Sequence, residues 1–130
     1  MPHLQFDLNK KLKNQQRENF TEFVKKKFSE IMNTDTGHIA ISIREFPKNA
    51  LTLGRTDKNN FVCFMNLDIR EGRSKKQKRT LVQNYMKGVE KILGVKTDNQ
   101  YVTFTSHPGN DFNLYEKALD EWFKDDKPLS

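Results

Sequence analysis

The chain has 130 residues, enough for one domain with one hydrophobic core. Its 23 Lys and Arg against 17 Asp and Glu give a formal net charge of +6, which favours anionic partners such as carboxylates, phosphates or nucleic acid. The single cysteine excludes an internal disulfide framework and indicates a reducing compartment. Neither an apolar run of membrane-spanning length nor an apolar leader is present, so we expect a cytoplasmic protein with no membrane partner.

The first predicted unit is a strand, a helix and a second strand. Residues 4–8 alternate between apolar and polar types, which is typical of a half-buried strand. Apolar residues then recur at helical spacing over 20–32, and a polar stretch at 33–37 breaks the helix. Alternation returns over 39–43 and predicts the second strand.

The second predicted unit has the same order of elements. A strand is expected over 62–69, followed by a turn. Ser74 with Gln77 three residues later forms a capping box, and a strongly amphipathic helix continues from there until Gly94. The last predicted strand covers 101–105.

The two units are one unit repeated. A shift of 61 residues, without a gap, places Asp7 on Asp68, Gln16 on Gln77, Ile31 on Ile92, Thr36 on Thr97 and Pro47 on Pro108. Each β-α-β unit pairs its strands in parallel with a right-handed crossover. Two such units predict an α/β (α+β) fold with a four-stranded mixed sheet and two helices on one face. The other face would be uncovered, so we expect an oligomer.

The whole chain is predicted to be one domain with four parts. These are repeat one at 2–47, a connection at 48–61, repeat two at 62–108 and a C-terminal arm at 109–130. The arm contains several aromatic residues, among them Phe112, Tyr115, Trp122 and Phe123. We expect the arm to pack on the body or on a neighbouring subunit.

Pro2 opens the first strand, a position at which proline costs no ladder hydrogen bond. Methionine before a small residue is usually removed, so we expect a mature chain that begins with a free secondary amine. Such an amine is a good base and nucleophile, and an apolar pocket or nearby cations would lower its pKa. The repeat counterpart of Pro2 is Cys63, inside the chain, so the duplication offers one such site per chain.

These features together resemble the tautomerase superfamily. The resemblance rests on Pro2 at the start of a β-α-β unit, on the tandem duplication and on the turn Arg70-Glu71-Gly72-Arg73-Ser74. Residues 2–8 resemble malonate semialdehyde decarboxylase, and residues 71–78 resemble 4-oxalocrotonate tautomerase. The arginine pair is similar to that of cis-3-chloroacrylic acid dehalogenase, and the strand at 39–43 to that of macrophage migration inhibitory factor. The subgroup stays open.

The resemblance implies a homotrimer and a cofactor-independent tautomerase. In such an isomerase Pro2 acts as an acid or base on a small 2-oxo or enol carboxylic acid. Arg73 and Arg70 would bind the substrate carboxylate, which a planar guanidinium fits in bidentate fashion. Tyr101 and Ile69 match further active-site positions of the family. The histidines lack metal-ligand spacing, and we expect neither a metal nor a cofactor.

Departures from the family patterns keep two alternatives open. Where the dehalogenase pattern has His, Tyr and Glu, this chain has Phe28 or Ser29, Thr103 and Leu114. Hydrolytic dehalogenation is therefore disfavoured. The decarboxylase pattern has Asp before the second strand, where this chain has Gly37 and His38. A proline-based decarboxylase or hydratase of a small three-carbon oxo or unsaturated acid is the first alternative.

The second alternative is a non-catalytic module that binds an anion, RNA or another protein. A positive charge of +6 and the basic cluster from Lys75 to Arg79 support it. The predicted strands lack aromatic pairs flanked by basic residues, the arrangement that stacks RNA bases. The sequence therefore disfavours nucleic acid as the partner.

Overall fold

The structure, a computed structural model, describes residues 2–119. Its main elements are β1 (His3–Leu8), α1 (Asn14–Met32), β2 (Ala40–Glu45), β3 (Cys63–Arg70), α2 (Lys75–Gly88) and β4 (Gln100–His107). Short 3-10 turns lie in the connections at Lys48–Ala50, Thr97–Asn99 and Gly109–Asp111, and a π turn at Val89–Leu93 extends α2. Trp122 and Phe123, predicted to pack on the body or a neighbour, lie outside the described residues. Within 2–119, no helix is both long enough and apolar enough to cross a membrane.

The four strands form one mixed sheet in the order β2-β1-β3-β4. β1 runs parallel to β2, β3 runs parallel to β4, and the central strands β1 and β3 are antiparallel. The pairing itself repeats, because His3 lies beside Ala40 and, 61 residues later, Phe64 lies beside Tyr101. The predicted tandem β-α-β sheet with two helices is confirmed.

The core lies between the sheet and the two helices. The inward side chains of the central strands are almost completely buried: Leu4, Phe6, Leu8, Cys63, Met65, Leu67 and Ile69. They meet the apolar stripes of the helices and the π turn: Phe20, Val24, Phe28, Met32, Leu81, Tyr85, Val89 and Leu93. Phe6 meets the ring of Phe20 edge-on at a centroid distance of 4.8 Å, and the Tyr85 hydroxyl donates to the Val24 carbonyl at 3.0 Å. Each large apolar side chain buried in this way contributes roughly 1.5–3 kcal/mol.

Two glutamines related by the repeat fix the helix starts and join the two units. Each side-chain oxygen accepts the backbone N–H three residues earlier, at 2.9 Å in both units. The side-chain amide of Gln16 then donates to the Ile92 carbonyl and that of Gln77 to the Ile31 carbonyl, both at 3.1 Å. The capping box predicted at Ser74 is confirmed. These reciprocal bonds explain why the glutamines and isoleucines coincide under the shift.

The face of the sheet away from the helices is mostly polar. Its side chains are His3, Gln5, Asp7, Ala40, Ser42, Arg44, Phe64, Asn66, Asp68, Arg70, Tyr101, Thr103, Thr105 and His107. Arg44 donates to both carboxylate oxygens of Asp7, at 2.7 and 2.8 Å, and His107 Nε2 lies 3.1 Å from Asp68 Oδ1. Strand alternation directs the apolar residues to the helix side. The uncovered face therefore gives no hydrophobic argument for an oligomer.

Candidate active site

Pro2 is buried at the start of β1, between two neighbouring strands. Its carbonyl accepts the N–H of Ala40 at 3.1 Å, which fixes it to the start of β2. On the other side, the antiparallel pairing of β1 with β3 brings Pro2 beside the last residues of β3, Ile69 and Arg70. The residue predicted to be the base and one predicted carboxylate ligand therefore lie at the same end of the sheet.

Arg73 belongs to the turn that joins β3 to α2. The turn requires a glycine, because Gly72 has a φ of 101°, a left-handed conformation that other residues rarely adopt. Arg73 Nη1 donates to the Met32 carbonyl at the end of α1, at 3.1 Å. That carbonyl is one of the acceptors that a helix C-terminus leaves without an intrahelical donor. Arg73 therefore joins the end of α1 to the end of β3, close to Pro2.

The electrostatic setting of Arg73 favours an anion. Burial, and then the like charge of Arg70, lower the pKa of Arg73 to about 9. The guanidinium is still cationic at neutral pH, but desolvation and the neighbouring cation both raise its free energy. A carboxylate bound there would offset both effects. Lys75 and Lys76, exposed in the first turn of α2, add positive charge that attracts anions at longer range.

The segment before β2 leads into the hydrogen bond between Ala40 and Pro2. The Asp35 carboxylate accepts the Gly37 N–H at 3.0 Å, and the Ile39 N–H donates to the Thr36 carbonyl at 3.2 Å. His38 lies between these bonds, two residues before Ala40. Its Nε2 atom is buried and makes no hydrogen bond to any residue of the described range 2–119. The sequence marks His38 only as a departure from the decarboxylase pattern and as a histidine without metal-ligand spacing.

The other two predicted site residues, Ile69 and Tyr101, lie at opposite ends of the sheet. Ile69 is completely buried on the core side of β3, next to Pro2. Tyr101 lies beside Phe64 at the start of β4, and its side chain is 54% exposed. That position is at the far end of the sheet from Pro2, about 20 Å away at roughly 3.3 Å per residue. In a single chain, Pro2, Ile69 and Arg70 lie at one end of the sheet, Arg73 lies in the turn that follows β3, and Tyr101 lies at the other end.

The sequence predicts no metal site. Among residues 2–119, no cluster of three or more His, Cys, Asp or Glu side chains is arranged to hold a metal ion. Besides Arg70, Arg73 and His38, the Pro2 end of the sheet carries His3, Asp68 and His107.

No protein-family model matches the sequence, and no curated protein is significantly similar to it. Solved structures are similar in fold. N1, a member of the cis-3-chloroacrylic acid dehalogenase family, gives a TM-score of 0.80 at 18% identity, over 94% of this chain and 86% of that one. Native fused 4-OT gives 0.77 at 14% identity, over 90% and 95%. The macrophage migration inhibitory factor-like protein of Entamoeba histolytica gives 0.76 at 18% identity, over 90% and 97%.

The chain has the fold of the tautomerase superfamily, as the sequence resemblance predicted. Identities of this size establish the fold and leave the reaction open. The structures with this fold include a malonate semialdehyde decarboxylase and a dehalogenase-family member as well as inhibitory-factor proteins. The subgroup accordingly stays open after the comparison.

Proposed function

We propose that the protein is a cofactor-independent tautomerase acting on a small 2-oxo or enol carboxylic acid. Pro2, freed as the N-terminal amine by removal of Met1, would be the acid or base. One observation carries the proposal: buried Pro2 shares one end of the sheet with Arg73, a half-buried cation destabilised by its surroundings. This is a basic nitrogen beside a group that favours a carboxylate.

The proton transfer follows from these two groups. As a free amine, Pro2 removes a proton from the carbon next to the substrate carbonyl, and the C–H electron pair forms the C=C bond of an enolate. The carbonyl oxygen takes the negative charge. The prolinium then returns the proton, either to that oxygen or to another carbon, so that the atoms and charge of the substrate are conserved. Burial and the nearby arginines would lower the pKa of such an amine and so favour its unprotonated form.

Arg73 and Arg70 orient the substrate by its carboxylate. A guanidinium presents two parallel N–H groups to a carboxylate, and each such charge-assisted hydrogen bond contributes roughly 1.5–3 kcal/mol. Ile69, buried beside Pro2, provides an apolar floor. With the arginines bound to the substrate carboxylate at one side and the Pro2 amine at the other, the reacting carbon would be held in a fixed position.

We also propose that the protein works as a homotrimer. The support is the position of Tyr101, which within one chain lies too far from Pro2 to contact the same substrate. A neighbouring copy could supply Tyr101 to this site. Analytical ultracentrifugation tests the assembly, and a monomer that is fully active on its own would contradict it.

The function is tested by ultraviolet assay of phenylenolpyruvate ketonisation, with untagged protein whose loss of Met1 is verified by mass spectrometry. We expect Pro2→Ala to lower kcat at least about a hundredfold, since a positioned general base contributes about 10²–10⁴. Cys63→Ala, at the counterpart position in the second repeat, is the matched control and should keep its activity. Full activity in Pro2→Ala would reject the proposal.

A second preparation makes the same test without a mutation. When a cleavable peptide is fused to Pro2, the nitrogen becomes an amide and loses its basicity. The fused protein should be inactive, and cleavage should restore the activity. If the native and mutant proteins are both inactive on enol-pyruvates, three-carbon 3-oxo acids become the substrates to assay, as the decarboxylase or hydratase alternative requires.

A further inference from the structure

We propose that His38 is a further substrate-contacting residue of the Pro2 site. Its Nε2–H would donate a hydrogen bond to the carbonyl or enol oxygen, on which negative charge develops during proton transfer. This inference rests on the proposed function and assigns one more contact in the same site. Three observations support it: the fixed backbone around His38, the buried Nε2 atom without a partner, and the contrast with Asn99 in the second repeat.

The backbone around His38 is held in place on both sides. Before it, the Gly37 N–H is bonded to Asp35, and after it the Ile39 N–H is bonded to Thr36. The next residue, Ala40, donates its N–H to the carbonyl of Pro2 itself, at 3.1 Å. His38 is therefore two residues from a direct hydrogen bond to the proposed base, on a segment whose conformation is fixed.

The nitrogen of His38 needs a partner that the described chain does not provide. Buried polar atoms in proteins are nearly always hydrogen-bonded, and a buried nitrogen without a partner costs free energy. Across residues 2–119 the other two histidines both have partners: His3 Nε2 lies 2.8 Å from Ser42 Oγ, and His107 Nε2 lies 3.1 Å from Asp68 Oδ1. Of the three histidines in that range, only His38 has a buried ring nitrogen without a hydrogen-bond partner.

The repeat supplies an internal comparison. The residue 61 positions after His38 is Asn99, which is also buried, with 7% exposure. Its side-chain oxygen accepts the hydroxyl of Thr56 at 3.0 Å. The polar side chain at this position is thus hydrogen-bonded within the second repeat, whereas its counterpart in the first, His38 Nε2, has no partner among residues 2–119.

The chemistry of an imidazole suits the role. In the tautomer that carries hydrogen on Nε2, the ring donates to an oxygen without adding a formal charge. A fixed donor aimed at the oxygen that becomes negative stabilises the transition state more than the ground state. Arg73 and Arg70 would meanwhile hold the carboxylate, so the two oxygen-bearing ends of the substrate have separate partners.

Three variants of His38 test the contact in the ketonisation assay. His38→Ala should lower kcat/KM about a hundredfold, mostly through kcat. His38→Gln should recover to within about tenfold of the native enzyme, because its terminal amide reaches the position of Nε2. His38→Asn should remain as poor as alanine, because its amide reaches only the position of Nδ1. Asn99→Ala, the repeat counterpart, should change thermal stability but not activity.

A binding measurement separates this inference from the proposed function. In a Pro2→Ala background, which removes the base but leaves His38, saturating phenylpyruvate should shift the ¹⁵N signal of His38 Nε2. An unmoved signal would overturn the contact, whether or not the native protein is a tautomerase. So would a His38→Ala enzyme within twofold of native activity, or equal losses in the Gln and Asn variants. A native protein inactive on every oxo acid, with the His38 signal still shifted, would reject the proposed function alone.

Discussion

The two ends of the sheet correspond under the repeat, but their chemistry has diverged. At one end lie Pro2, His38 and Arg73, and at the other the same positions hold Cys63, Asn99 and Leu12. In the proposed site the first set would act as base, donor and cation, whereas the second consists of a buried thiol, a hydrogen-bonded amide and an apolar side chain. The backbone pairing is nevertheless the same in both units.

The Cys63 end is covered by the chain segment that leads into it. Asn9 holds this connection, donating to the Lys48 carbonyl at 2.7 Å and accepting the Val62 N–H at 2.8 Å. Lys10 Nζ donates to the Leu93 carbonyl at 2.8 Å, as Arg73 does to Met32 at the other end. A cavity of about 380 Å³ remains between Asn9 and the connection. Asn9 and Lys10 therefore use their polar groups in hydrogen bonds that join parts of the chain.

The comparison shows how connectivity breaks the symmetry of a duplicated fold. The first strand of repeat two must be preceded by a linking segment, and Asn9 holds that segment at both of its ends. The proposed free amine requires that nothing precede Pro2. A duplicated scaffold would then keep chemistry at one end and develop structural contacts at the other.

The largest expected difference between the ends is in reactivity. Burial, and then the charge of Asp7, raise the pKa of the Cys63 thiol from 9.0 to about 12. The thiolate fraction near pH 8 therefore falls about a thousandfold, and we expect native protein to react with iodoacetamide at least that much more slowly than unfolded protein. Mass spectrometry of the labelled peptide measures the rate. Fast labelling of native Cys63 would show that this end is open.

The same shift predicts a pH dependence of stability. Between about pH 9 and pH 12 the unfolded chain releases the thiol proton while the folded chain keeps it. The folded state then binds more protons, so the free energy of unfolding decreases as pH rises through this range. Urea unfolding at pH 8 and pH 10.5 should show a smaller decrease in Cys63→Ala than in the native protein. Equal decreases would contradict the assignment.

A further prediction compares Arg73 and Lys10, two cations that each donate a hydrogen bond to a carbonyl at the end of a helical segment. Arg73→Ala removes the donor to the Met32 carbonyl, at the end of α1. Lys10→Ala removes the donor to the Leu93 carbonyl, at the end of the π turn that extends α2. Each should cost about 1 kcal/mol of stability. Only Arg73→Ala should also lower kcat/KM, by about a hundredfold, because it removes the proposed carboxylate ligand. Steady-state kinetics with urea unfolding separates the two effects, and equal activity in both variants would remove Arg73 from the site.

Much of the fold follows from the sequence because the repeat has no gap. A constant shift preserves strand pairing, so the match of Gln16 with Gln77 already implies equal registers in both units. Periodicity also places the helix end at Gly94, whose φ of 76° requires a residue that tolerates the left-handed conformation. It does not predict the π turn over 89–93, which depends on packing between the helices.

The site is less accessible to sequence reasoning, for physical reasons. Tyr101 matches a family position, but a match does not say which copy of the chain supplies the side chain. The buried nitrogen of His38 arises from the packing of the segment before β2, and no local pattern encodes it.

The third prediction concerns a point where the two helices are not equivalent. Gly88 of α2 corresponds to Lys27 of α1, and Gly88 lies against the ring of Phe23. A Cβ at Gly88 would lie 2.1 Å from Phe23 Cε2, so Gly88→Ala should overpack the contact and cost about 2 kcal/mol. Gly54→Ala, with no atom within 4 Å of its Cβ, is the control and should stay within about 0.5 kcal/mol. An unchanged melting temperature in Gly88→Ala would mean that the helices can separate there at little cost.

The smallest effect is the sharpest test of the symmetry itself. Gln16→Ala and Gln77→Ala each remove one cap contact and one bond to the other unit, with the same distances. Both should lose about 1 kcal/mol, a fall of about 4 °C in Tm by calorimetry. Gln77 fixes the helix start that follows Arg73, so Gln77→Ala should also raise KM a few-fold, whereas Gln16→Ala should not. Two variants equal in both stability and kinetics would mean that the Pro2 end does not depend on the position of α2, and that the chemical difference between the ends resides in the site side chains alone.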